Sequence, residues 1–198
     1  MGTTQRDRRE NLTFGSDDQE SRERLRQLIL FVAERCQADS GFSMTKLVEI
    51  LFRADFESFA RYGRSITGAC YRKLQYGPAS QAALNVRDEM KSRGEIALIE
   101  EGYTPHRRNR IVALKTADLH GFTGTDIALI DGVIELSYGR AATFAGELSH
   151  ERSHDRAWEA ADYGELIPYE AALLSAESPT EDDIARAHEL SARHGWED

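Results

Sequence analysis

No apolar run in this 198-residue chain approaches the ~18 residues that a membrane-spanning helix needs; the longest candidate, 25–33, is interrupted by Arg26 and Gln27. The first residues, MGTTQRDRRENLTFGSDDQE, are polar and of mixed charge and lack the apolar core of a secretory leader, so 1–19 reads as a disordered tail. Only two cysteines are present, Cys36 and Cys70, with neither a CxxC pair nor a Cys/His spacing. That excludes a disulfide framework and a zinc finger, and points to reduced thiols in a cytoplasmic protein. Also missing are a G-x-S-x-G elbow, a phosphate-binding P-loop and a GxGxxG turn after a strand. The usual serine hydrolases, NTPases and dinucleotide enzymes are thereby left without their sequence marks. There is no internal repeat and no low-complexity segment.

The composition is that of a globular protein, 40% hydrophobic and 30% charged, and the length allows one domain with a sizeable core. Net charge is -9, unevenly placed: residues 1–115 hold 20 basic and 16 acidic side chains, whereas 116–198 hold 5 and 18. The acidic C-terminal part repels phosphate backbones and suits a basic protein partner; its other use is solubility.

Periodicity divides the chain into elements. Leu25, Leu28, Ile29, Val32 and Ala33 make one face of a helix over 20–36. Ser43 is the N-cap and Gly63 the stop of a second helix, with Met44, Leu47, Val48, Leu51, Phe52 and Phe59 as its buried stripe. CYRKLQYG predicts a brief extended segment, and Ser80 caps a helix over 81–93. The runs EIALIEE and NRIVALK predict a hairpin with a basic tip of His106, Arg107, Arg108 and Arg110. Further helices are expected over 123–138, 142–149 and around Trp158, with Pro168 opening another. Ser178, Pro179 and Glu181 form a capping box for a last helix reaching His194. The expected fold is therefore mainly α (α+β), a compact multi-helix domain with one small β-hairpin. Tail 1–19, domain 20–176 and C-terminal helix 177–198 are its parts. Helix, helix, hairpin is also the order of a winged helix.

Asp55 falls on the apolar stripe of the second helix, where an unpaired carboxylate is costly. It is expected to accept hydrogen bonds from the loop that follows, with the Arg64 side chain and the backbone N–H groups near Thr67 and Gly68 as donors.

Two motifs invite chemistry. His150-Glu151-Arg152-Ser153-His154 matches H-E-x-x-H, which on a buried helix holds Zn²⁺ with a glutamate beside the metal-bound water. The charges at Arg152 and Asp155 and a helix break near Ser153 argue against that, leaving His150 and His154 as weak candidates and no metal or cofactor expected. The basic hairpin tip could meet phosphates with helix 81–93 in a groove, but Asp88 and Glu89 on that helix oppose it, so DNA is disfavoured.

The segment 46–78 carries a further pattern: Lys46-Leu47, Leu51-Phe52, Ala54-Asp55, Tyr62-Gly63-Arg64, Ile66-Thr67-Gly68, Tyr71 and Tyr76-Gly77-Pro78. In this it resembles the Panacea, or SocA-like antitoxin, domain. Leu148-Ser149-His150, Trp158, Gly164-Glu165 and Ile167-Pro168-Tyr169 are similar to that family's C-terminal part, so the resemblance covers roughly 25–175. Ser65 and Ala69 depart from the pattern, where Pro and an acidic residue are common. The resemblance implies a non-enzymatic protein that neutralises a toxin by direct binding, encoded beside it in a bacterium or phage. Some relatives look like adaptors that deliver a toxin to a protease. Aromatic and Arg anchors dominate interfaces, which nominates Arg64, Tyr76, Arg107 and Arg108 for the partner. Asp55, Gly68, Gly77 and Pro78 are assigned to shaping the loop. A DNA-binding regulator is the alternative, and a homo-oligomer is compatible with either.

Overall fold

Helix starts follow from side chains that accept the first free backbone N–H groups. Asp18 caps α1 (Gln19–Arg35), Ser43 caps α2 (Met44–Tyr62) and Ser80 caps α3 (Gln81–Ser92). Thr123 and Asp126 form a reciprocal capping box on α4 (Gly124–Ser137). In this computed structural model the described residues are 12–101, 108–140, 152–174 and 180–195. The expected helix 142–149, the Ser178-Pro179 cap and the hairpin tip with His106 and Arg107 lie outside them. Helices α5 (Ser153–Ala160) and α6 (Glu181–His194) and a 3-10 turn, Tyr169–Leu173, complete the helical part.

The expected hairpin is present as β3 (Ile96–Glu101) paired antiparallel with β4 (Arg108–Ala113), Glu101 opposite Arg108. A second hairpin stands where the sequence predicts a single extended segment: β1 (Arg72–Leu74) pairs with β2 (Gly77–Ala79). Three-residue strands are too short to show an alternation, which is why period alone does not separate them. β1 is bonded on its other edge as well. Arg72 bridges to Leu166, with Lys73 N–H donating to Glu165 O at 2.9 Å and Ile167 N–H to Tyr71 O at 2.9 Å. The fold is mainly α with some β, as expected.

α2 is the hub, packing on α4, α5, β2 and the 3-10 turn. Twelve of its nineteen residues are buried, so its period-3.6 stripe widens to most of the circumference. Such a helix buries polar residues too. Lys46 places its ammonium 2.5 Å from Asp39 Oδ2 and 2.9 Å from the Arg140 carbonyl, and both ionic side chains are almost fully buried. Burial pushes the Asp39 carboxyl up, but the Lys46 ammonium and the Gly41 N–H outweigh it and hold the group below its ordinary value. This pair fixes the turn between α1 and α2.

Of the tail assigned to 1–19, the described part is held in place. Residues 12–17 run across the domain, with Tyr169 N–H donating to Thr13 O at 2.7 Å and Ser16 N–H to Gly68 O at 2.7 Å. Thr13 N–H donates in turn to the Glu170 carboxylate at 2.9 Å. At the crossing, Gly15 has φ +85° and a Cβ there would lie 2.5 Å from Gly68 O, so no side chain fits.

The Lys46–Asp39 pair yields a sharp test, because a buried charge stripped of its partner is far worse than an apolar replacement of both. Lys46→Met is expected to lower stability by about 3 kcal/mol in urea denaturation, and adding Asp39→Leu to recover more than half of that loss.

Candidate functional site

Ile66, Thr67 and Tyr71 of the 46–78 pattern converge on Asp55, which is fully buried about two turns before the end of α2. Oδ1 accepts the backbone N–H groups of Ile66 at 2.8 Å and Thr67 at 2.7 Å. Oδ2 accepts the Tyr71 hydroxyl at 2.7 Å and the Thr67 hydroxyl. Burial raises this carboxyl above its ordinary value, while the hydrogen bonds from Thr67, Tyr71 and Ile66 work against it. Two backbone N–H groups on Oδ1 and two hydroxyls on Oδ2 occupy the carboxyl, the loop being folded onto it.

Thr67 is thus a donor as expected, but Gly68 and Arg64 are not. Arg64 turns outward to α4, with Nη2 2.9 Å from Asp126 Oδ1. Burial raises the Asp126 carboxyl, but the Thr123 N–H and Arg64 outweigh it and hold it below its ordinary value. Arg64 therefore ties the loop to the start of α4 as well as being half exposed. Its partner was legible in part, since Thr123-x-x-Asp126 is a capping box; that the same carboxylate also takes an arginine depends on tertiary packing. Arg24 completes this corner, donating through Nε to the Ile66 carbonyl at 2.6 Å and lying 4.5 Å from the Phe122 ring. Gly68 has φ +73°, and a Cβ there would sit 2.7 Å from Ser21 Oγ, which explains the glycine.

An aromatic shell keeps water from the clasp. Phe52 and Phe56 lie with ring centroids 4.4 Å apart, Tyr71 meets Phe52 edge-on at 5.3 Å, and Tyr169 sits 4.8 Å from Phe56 and stacks on Phe59 at 5.4 Å. The Tyr169 hydroxyl donates to Ala69 O at 2.6 Å. Burial and the Asp55 charge push both tyrosine hydroxyls well above their ordinary range.

The rest of the pattern is at the surface. Tyr76, 78% exposed, occupies the β1–β2 turn. Gly77 and Pro78 behind it are buried and line a hollow of about 210 Å³ with Met44, Val48, Leu74 and Leu84. Of the other nominated partner residues, Arg107 lies outside the described residues, and Arg108 opens β4, far along the chain from Tyr76. Arg110 bends inward, donating to the Gln37 and Asp39 carbonyls. Arg64, tied to α4, and Tyr76, on the β1–β2 turn, stand on different elements.

The H-E-x-x-H match is not carried on one helix of the described residues: α5 begins at Ser153, and His150 and Glu151 lie outside them. No group of three or more His, Cys, Asp or Glu suited to a metal occurs among the described residues. His154 is 6% exposed, with Nε2 3.5 Å from Asp155 Oδ1, and among the described residues neither ring nitrogen has a hydrogen-bond partner. Burial first, then the charges of Arg53, Arg152 and Arg156, push its pKa down to about 3.

A hub helix whose buried aspartate folds the next loop, followed by a short hairpin, is the architecture on which the 46–78 pattern is built. The model of the family "Antitoxin SocA-like, Panacea domain" matches residues 47–159, more than half of the chain. The chain belongs to that family. No curated protein and no solved structure matches it.

Two tests follow from this geometry. Asp55→Ala orphans four buried donors at once and is expected to cost about 4 kcal/mol or more in urea denaturation. His154 works through pH. Above 6.5 it is neutral whether folded or not; below that the unfolded chain binds a proton the native imidazole refuses until about pH 3. Stability is therefore lost as pH falls through that window, by about 2 kcal/mol between pH 6.5 and 5. His154→Gln is expected to flatten the urea-midpoint profile over that interval relative to the parent, Asp55 being common to both.

Proposed function

We propose that this protein is a cytoplasmic, non-enzymatic antitoxin that neutralises a protein toxin by binding it directly. The observation that carries this reading is membership of the SocA-like antitoxin family across 47–159. The structure supports it in a specific way: the family pattern spends Asp55, Thr67, Tyr71 and Gly68 on building the domain and leaves Tyr76 presented on a bonded hairpin. A buried carboxylate with all its lone pairs engaged is a structural clasp, not a general base. Nor does any helix of the described residues have the length and apolarity to cross a membrane.

The charge distribution favours a basic toxin, since residues 116–198 hold 18 acidic against 5 basic side chains. Complementary charge acts mainly on the rate of encounter. The DNA-regulator alternative gains little from α3, which leads into the β3–β4 hairpin but exposes Asp88 and Glu89.

The test is co-expression with the product of the adjacent reading frame. That product alone is expected to arrest growth, and this chain to restore it with the two proteins recovered as a complex. Restoration with loss of the toxin polypeptide would identify delivery to a protease instead, and no restoration would sink the antitoxin reading. Raising salt from 50 to 500 mM is expected to slow association by about tenfold, measured by surface plasmon resonance.

A further inference from the structure

We draw no further inference here: the strongest candidate, the uncharged hollow of about 210 Å³ lined by the start of α2, the β1–β2 hairpin with its exposed Tyr76 and the first turn of α3, is an unpartnered apolar face, and nothing in the structure shows what covers it.

Discussion

A single carboxyl group on the buried side of α2 is what the rest of the molecule is arranged around. Removing Asp55 from water is costly, and the cost is offset only if donors are delivered to both oxygens. The chain delivers them from one short segment, two backbone N–H groups and the hydroxyls of Thr67 and Tyr71. That requirement fixes the direction of the loop after α2 and hence where β1 begins. It also fixes the position of Ala69, whose carbonyl then receives the Tyr169 hydroxyl. The aromatic shell follows as a consequence, because a clasp of this kind holds only while solvent is kept out.

Much of this was legible in the residues. The caps Ser43 and Ser80, the long amphipathic stripes and the β3–β4 hairpin are strong local patterns, and each stands where it was expected. Asp55 betrayed itself by sitting between Leu51 and Phe59 on an apolar stripe, and Thr67 as its donor followed from proximity. What could not be read is what distance in sequence conceals. Arg64 had two plausible carboxylates, Asp55 nine residues earlier and Asp126 on another helix, and packing of α2 on α4 chose the second. The strand pairing of β1 with 164–167 joins segments with no shared local pattern.

The pattern divides its residues between an inward and an outward role. Residues that face inward answer to one another through hydrogen bonds a few tenths of an ångström in tolerance. Tyr76, on the turn between β1 and β2, faces solvent instead.

The crossing of residues 12–17 over the loop has a consequence for what counts as the unit of this protein. The family match ends at 159 and begins at 47, yet the backbone partners of β1's second edge come from 164–167, and the far side of Gly68 is closed by Ser16. Similarity therefore marks a smaller territory than cooperativity does. A fragment cut at the borders of the recognisable region would leave β1 with a bare edge and the loop with an unsheltered flank, so the physical domain has to be delimited by its hydrogen bonds.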